Sequence, residues 1–187
     1  MWCGKWVTSL MPTYRVGDPF YGDPRSPDLC MVGTDLVVPA DMCSTPALRA
    51  SAVASGLSGD AVQVDETAVF VYTGVWAINP RVLRMIPTAP LPGKSTRWTS
   101  DRRLLKEHHI EKIGHGYVTT RERTAADLLH LPYERGVTAL IPLVRDGLDL
   151  DLVQEILGDR FRGVSSRRAS QMMEQIAHAL ASCPESP

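Results

Sequence analysis

One stretch of this chain changes from a strand pattern to a helix pattern within a few residues, and it constrains the fold more than any other. Residues 116 to 129 read Gly-Tyr-Val-Thr-Thr-Arg-Glu-Arg-Thr-Ala-Ala-Asp-Leu-Leu. Thr119 and Glu122 have the spacing of a capping box, in which each side chain accepts from the other residue's backbone N–H. We therefore expect a strand to end at Thr119 and a helix to begin near Thr120.

Within this helix two faces are expected. Arg123 and Asp127 are four residues apart on one face, where an ion pair contributes roughly 0.2 to 0.5 kcal/mol in solvent and more if partly buried. Ala125, Leu128 and Leu129 form the inward stripe. Since no nucleophile and base are arranged here, the stretch is interpreted as a helix start and not as a reactive site.

The whole chain is expected to form an α+β fold, with a small mixed or antiparallel sheet and a mainly helical C-terminal half. Its 187 residues suffice for one sizeable domain. Residues 12–28 are rich in Pro, Gly and Asp, and residues 1–28 are predicted to form an extended N-terminal arm. Residues 29–183 are predicted to form a single α+β domain.

Several elements are predicted before the strand-to-helix stretch. Leu29 to Val38 is typical of a β-hairpin with its turn at residues 33–35, which could be the wing of a winged helix or a plain sheet edge. Thr45 followed by Pro46 predicts a helix that runs to about Ser55.

The middle of the chain is less uniform. Asp65 to Thr73 has strand propensity at residues 69–72, yet its Asp start and the Gly74 that follows suit a short helix. Strands are predicted at Arg81 to Ile86 and at Arg103 to Ile110, with Tyr117 to Thr119 ending another.

The C-terminal half is predicted to be helical, with breaks at Pro132, Gly147, Gly158 and Gly163. Asp149 is expected to cap one helix, and Ser165 or Ser166 the last one. The last helix carries an apolar stripe, which favours core packing over partner contact: Ala169, Met172, Met173, Ile176 and Leu180.

The strand-to-helix stretch also resembles a known signature. Its Val-Thr-x-x-x-Arg-Thr-x-x-Asp-Leu run is similar to the central motif of AbiEi-type antitoxins of bacterial type IV toxin–antitoxin systems. The residues of the run are Val118, Thr119, Arg123, Thr124, Asp127 and Leu128. Weaker matches lie upstream, at a small-residue helix (Pro46 to Leu57), an aromatic-x-Gly corner (Asp65 to Gly74, with Tyr72) and a strand closed by a proline (Arg81 to Pro87). The resemblance covers about residues 28 to 160 and favours a helix at Asp65 to Thr73.

This resemblance implies an antitoxin that neutralises a cognate nucleotidyltransferase-like toxin and can act as a DNA-binding autorepressor of its operon. In such proteins an N-terminal winged helix reads operator DNA and the C-terminal domain counters the toxin. Only 28 residues precede Leu29, so the winged helix is expected to be short or missing here. The alternative hypothesis is a small transcriptional regulator not linked to a toxin.

Two basic clusters are candidate sites for nucleic acid or an acidic partner, with a solvated face as the alternative. Between Lys94 and Arg123 the sequence has eight basic residues against four acidic ones. The candidates there are Lys94, Arg97, Arg102, Arg103 and Lys106. The second cluster is Arg160, Arg162, Arg167 and Arg168, near the start of the last helix, where cations oppose the helix dipole and so do not serve helix stability.

Motifs of catalysis are not found in the sequence. It has no Gly-x-Ser-x-Gly elbow, no His-Glu-x-x-His and no phosphate-binding glycine loop. His108, His109 and His115, with Glu107 and Glu111, could begin a metal site, but adjacent histidines on a strand point to opposite faces. A solvated polar strand face is favoured instead, and we predict a non-enzymatic protein without metal or cofactor.

The cysteines and the absence of long apolar runs indicate the compartment. Cys3, Cys30, Cys43 and Cys183 include no Cys-x-x-Cys pair, which favours free thiols over disulfides or zinc ligands. No apolar run approaches the ~20 residues of a membrane span, and the N-terminus is not typical of a signal peptide. We predict a cytoplasmic protein.

Overall fold

The protein has an α+β fold, as the sequence predicts. The computed structural model describes residues 14–15, 26–57, 61–76, 83–88, 98–101, 103–160 and 164–182, without the side chains of residues 159–160, 164–166 and 180–181. These described residues contain six α-helices and two sheets, of three and five strands. The C-terminal half is mainly helical.

The smaller sheet is antiparallel and contains the predicted hairpin. Its strands are β1 (Tyr14–Arg15), β2 (Leu29–Val32) and β3 (Leu36–Pro39), in the order β1-β3-β2. Val32 pairs with Leu36, so residues 33–35 form the turn, and Gly33 has a φ of 73° that favours glycine there. The pairing of β1 with β3 joins part of the predicted arm to the domain.

The first helix begins where the sequence predicts. A short 3-10 helix (Ala40–Cys43) leads from β3 to α1 (Pro46–Gly56). The Thr45 side chain accepts a hydrogen bond from the backbone N–H of Leu48 at 3.3 Å, which is the expected N-cap.

The larger sheet is mixed, and a buried helix connects two of its strands. Its strands are β4 (Ala61–Gln63), β5 (Leu83–Pro87), β6 (Trp98–Ser100), β7 (Ile110–Ile113) and β8 (Gly116–Thr119), in the order β6-β5-β4-β8-β7. The β4–β8 and β5–β6 pairs are parallel, and the other two are antiparallel. Between β4 and β5 runs α2 (Asp65–Thr73), whose first eight residues are all buried, so the helix predicted there is confirmed.

Four helices follow the larger sheet: α3 (Arg121–Leu128), α4 (Tyr133–Arg145), α5 (Leu150–Arg160) and α6 (Val164–Ser182). Asp149 accepts from the backbone N–H of Leu152 at 3.1 Å, as predicted for a cap. Ala125, Leu128 and Leu129 are buried, and so are Ala169, Met172 and Met173 on α6. Among the described residues, no helix is both long enough and apolar enough to cross a membrane.

Three local predictions are wrong. Arg103 to Ile110 is not a strand: residues 103–106 have no regular structure, Glu107–His109 is a 3-10 helix, and β7 begins only at Ile110. Gly158 does not end a helix, because the buried Val153, Ile156 and Leu157 hold α5 together past it at a cost of about 1 kcal/mol relative to Ala. The last helix begins at Val164, so Ser165 and Ser166, the alternative predicted caps, lie inside its first turn. The predicted break at Gly163 lies outside the described residues.

Candidate functional site

The Val118–Leu128 run begins on a sheet strand and ends on a helix. Thr119 is the last residue of β8 and is fully buried, with its Oγ1 2.7 Å from Thr124 Oγ1. The N-cap of α3 is Thr120, whose Oγ1 accepts from the backbone N–H of Arg123 at 3.3 Å. The helix start is predicted correctly, but the predicted cap at Thr119 is wrong by one residue because strand pairing directs Thr119 into the core.

The cap gives a first testable prediction. Replacing Thr120 with alanine should lower the free energy of unfolding by about 1 kcal/mol, since the first turn of α3 loses its side-chain acceptor. Thr120→Ser keeps the hydroxyl and should be close to wild type in the same urea titration. Equal destabilisation by both substitutions would contradict a capping role for Thr120.

Arg123 and Asp127 form the predicted ion pair, and it is completely buried. Arg123 Nε donates to Asp127 Oδ2 and Nη2 donates to Oδ1, both at 3.0 Å, and each side chain is 2% exposed. Arg123 Nη1 also lies 2.9 Å from His109 Nδ1. A guanidinium can only donate, so Nδ1 is the acceptor and the imidazole proton is on Nε2.

Arg103 extends this pair into a network that spans three parts of the chain. Its Nη1 and Nη2 donate to the two Asp65 carboxylate oxygens at 2.8 and 2.6 Å. Its Nη1 also lies 3.1 Å from Asp127 Oδ2. We name the four residues Asp65, Arg103, Arg123 and Asp127 the arginine–aspartate cluster.

Burial and mutual pairing change the pKa values of the charged side chains in the arginine–aspartate cluster. Burial raises the pKa of Asp127 above its ordinary value, although Arg123 and Arg103 act to lower it. Burial acts to lower the pKa of Arg103, but Asp65, Asp127 and Asp101 outweigh it and raise that pKa. Asp65 also has a φ of 51°, in the left-handed region that costs about 1 kcal/mol or more for most residues. The cluster is therefore a buried structural centre in which each charge requires its partners.

Beside Asp65, Glu66 makes a second set of ion pairs. Its side chain is 5% exposed and lies 2.9 Å from Arg84 Nε on β5. It also accepts from Arg135 Nε on α4 at 2.6 Å. Both carboxylates stand in the first turn of α2, where the helix dipole favours negative charge. The beginning of α2 is thus bound to a strand, a loop and helix α4.

Two further polar residues have structural contacts that the sequence does not predict. Arg49 on α1 donates to three backbone carbonyls, two of which end α2. The Tyr72 hydroxyl lies 2.7 Å from the carbonyl oxygen of Thr119 and also contacts the Glu111 carboxylate. Burial and the contact with Glu111 raise the pKa of Tyr72. The Tyr72-x-Gly74 corner noted in the sequence therefore connects α2 to the strand that begins the run.

The predicted basic candidates are not all equivalent in the structure. Arg103 is paired with aspartates inside the protein, whereas Lys106, Arg167 and Arg168 have exposed side chains. Arg160 ends α5, but its side chain lies outside the described residues, as do Lys94, Arg97, Arg102 and Arg162 entirely. Arg121 and Arg123, which count toward the basic excess between Lys94 and Arg123, are paired with Asp146 and Asp127. Binding by these clusters stays a prediction.

The histidines do not lie on a solvated strand face, contrary to the prediction. His108 and His109 are in a 3-10 helix, and His109 is 3% exposed because it contacts Arg123. In the part of the chain that the structure describes, no three His, Cys, Asp or Glu side chains are grouped to hold a metal ion.

His130 gives a prediction on pH. Burial lowers its pKa below the ordinary 6.5; the Asp127 charge opposes this shift, and the Arg123 and Arg103 charges add to it. A lowered folded-state pKa contributes stability that is present above the unfolded pKa and is lost as pH falls toward the folded one. Between about pH 7.5 and 5.5 the free energy of unfolding of the wild type should therefore fall. The fall is at most about 1.4 kcal/mol for each pH unit by which the pKa of His130 lies below its ordinary value, and urea unfolding measures it. His130→Gln should lose less; an equal loss in both proteins would exclude His130 as the cause.

Comparison of this chain with protein-family models, with characterised proteins and with solved structures finds no match.

Proposed function

We propose that this chain is an antitoxin that neutralises a cognate nucleotidyltransferase-like toxin. The observation that carries the proposal is that the Val118–Leu128 run folds as one connected buried unit. Thr119 contacts Thr124, Arg123 pairs with Asp127, and Val118 and Leu128 are fully buried. Arg-Thr and Asp-Leu are common pairs in proteins, so their order and setting decide whether a resemblance is meaningful. Their mutual contacts here support the resemblance to AbiEi-type antitoxins.

In this proposal the run is scaffold and the toxin binds elsewhere. All six signature side chains are at most 3% exposed, so a protein partner cannot reach them. Exposed basic side chains can contact such a partner. The candidates are Lys106, three residues after Arg103 of the arginine–aspartate cluster, and the pair Arg167 and Arg168 in the first turns of α6. Basic side chains at the rim of a protein–protein interface increase the rate of association with an acidic surface more than they increase the affinity. We therefore expect the toxin to offer an acidic surface, in the cytoplasm.

Co-expression tests the antitoxin role. The nucleotidyltransferase-like product of the adjacent gene should stop growth when made alone, and this chain should restore growth. No restoration, with both proteins present, would contradict the proposal.

Charge removal tests the contact surface. Arg167→Ala/Arg168→Ala should weaken rescue and slow association with the toxin, with a difference that shrinks at high salt. The matched control Lys112→Ala/Arg145→Ala removes two other exposed basic side chains and should rescue like wild type. Equal rescue by both double variants would place the contact away from α6.

Binding to DNA is a separate part of the proposal. If the protein also represses its operon, it should shift its own promoter in an electrophoretic assay, with log K falling by about 0.9 per phosphate contact for each unit of log salt. Absence of a shift at low salt would exclude repression. A shift without any toxin rescue would instead favour the small transcriptional regulator.

A further inference from the structure

Two cysteine thiols meet where the β2–β3 hairpin packs against the start of α1. Cys30 lies on β2 opposite Val38, and Cys43 ends the 3-10 helix that follows β3. The backbone N–H of Ala40 donates to the Asp28 carbonyl oxygen at 2.8 Å, which holds this 3-10 helix against the beginning of β2. The Cys43 and Cys30 side chains are in hydrogen-bonding contact, and both belong to the apolar core or pack on it.

We propose that Cys30 and Cys43 form a reversible disulfide, with Cys30 as the reacting thiol and Cys43 as the resolving thiol. Neither cysteine forms a disulfide in the structure. The two side chains already contact each other across a separation of thirteen positions, and the Ala40–Asp28 hydrogen bond holds their segments together.

Access and charge decide which thiol reacts first. Cys30 is partly exposed, whereas Cys43 is buried. The hydrogen bond to Cys30 raises the pKa of Cys43, and burial adds to that rise, so Cys43 resists losing its proton. Arg49 Nη1, which donates to the Cys43 carbonyl oxygen at 2.9 Å, puts a positive charge beside the pair. A nearby cation favours reaction of an accessible thiol, and Cys30 is the accessible one of the two.

The oxidant in this proposal is a small-molecule disulfide such as oxidised glutathione. The Cys30 thiolate attacks one sulfur of that disulfide, forming a mixed disulfide and releasing one glutathione thiolate. Cys43 then loses its proton and attacks the Cys30 sulfur, which forms the Cys30–Cys43 bond and releases the second glutathione. Two protein thiols lose two electrons, the glutathione disulfide gains them, and the two protons end on the released thiols.

Intact mass tests the pair in the full chain. Cys3→Ser/Cys183→Ser is the background, so that Cys30 and Cys43 are the remaining cysteines. After treatment with oxidised glutathione the protein should be about 2 Da lighter, with a peptide that links Cys30 to Cys43 and a return to the starting mass with dithiothreitol. The melting temperature of the oxidised form should rise by about 5–10 °C, because the bond restricts the unfolded chain.

Single substitutions test the order of the steps. With Cys43→Ala added to the background, Cys30 should keep one glutathione and the mass should increase by about 305 Da. With Cys30→Ala, the buried Cys43 should react at least tenfold more slowly. A stable glutathione adduct in the background protein, without a Cys30–Cys43 link, would overturn the proposal, and so would equal reaction rates at the two thiols. Circular dichroism confirms that each variant is folded, and the result does not depend on toxin binding.

Discussion

Replacing Arg123 with alanine is expected to lower the free energy of unfolding by about 3–5 kcal/mol, because Asp127 would stay buried without its bidentate partner. Both side chains are 2% exposed, so water cannot replace the lost guanidinium. Asp127 would keep the contact with Arg103 at 3.1 Å, and His109 Nδ1 would lose the donor 2.9 Å away. The expected cost is several times that of a solvated ion pair at the same helical spacing.

The pH dependence of this variant gives a sharper readout. Burial raises the pKa of Asp127 already, and removal of Arg123 should raise it further. A raised folded-state pKa gives stability that is complete below the unfolded pKa and is lost as pH rises through the folded one. The loss in Arg123→Ala should therefore be larger at about pH 8 than at about pH 5, where protonation of Asp127 offsets part of it.

Urea unfolding followed by circular dichroism measures both effects, and Arg121 provides the matched control. Arg121 pairs with Asp146 at 2.9 Å, but the two side chains are 35% and 42% exposed. Arg121→Ala should cost about 1 kcal/mol or less. If Arg123→Ala is no more destabilising than this, the buried pair does not hold the domain together. Arg123→Met/Asp127→Leu, which removes both charges, should be less destabilising than Arg123→Ala alone.

Elements with local signals could be predicted from the sequence. The turn of the β2–β3 hairpin, the Thr45 cap of α1 and the Asp149 cap of α5 each depend on residues within a few positions of one another. Helix α2 needed more than propensity, because residues 69–72 also suit a strand, and the resemblance decided correctly for a helix. Local chemistry fixes where these elements begin and end.

Elements that depend on distant partners could not be predicted. The residues around Arg103 suit a strand, yet its guanidinium bonds to Asp65, 38 positions away, and residues 103–106 have no regular structure. The choice between Thr119 and Thr120 as the cap has the same origin. Both are threonines with suitable spacing. Thr119 is buried, pairs with Ile110 on β7 and donates to the Gln63 carbonyl oxygen on β4, which leaves Thr120 to cap the helix.

The basic candidate residues divide in the same way, into those that pair with distant aspartates and those that are exposed. A charge count between Lys94 and Arg123 treats every arginine as available to a partner, although Arg103 and Arg123 satisfy buried aspartates. Arg167 and Arg168 are exposed, as their position on the polar side of the last helix predicts. Burial therefore decides which basic residues can bind, and burial is a property of the whole fold.

Arg49 shows how large an effect such a non-local contact can have. Its Nε and Nη2 donate at 2.8 Å to the carbonyl oxygens of Val71 and Tyr72, and Nη1 donates at 2.9 Å to that of Cys43. The last carbonyls of a helix have no partner within it, so Arg49 supplies the donors that end α2. In the sequence Arg49 is one charged residue in a helix of small residues, and nothing nearby marks it as buried; in the structure it is 7% exposed.

Arg49→Ala should therefore lower the free energy of unfolding by about 3–5 kcal/mol, because three buried acceptors lose their donor together. Arg49→Lys keeps the charge but not the planar fork, and a single ammonium cannot reach all three oxygens, so we expect about half of that loss. Arg145→Ala, at an exposed position of α4, is the control and should cost about 0.5 kcal/mol or less in the same urea titration. Hydrogen exchange gives the local readout: amides in the last turn of α2 should exchange faster in Arg49→Ala than in Arg49→Lys. Unchanged exchange there, or a loss no larger than that of Arg145→Ala, would show that α2 ends without help from Arg49.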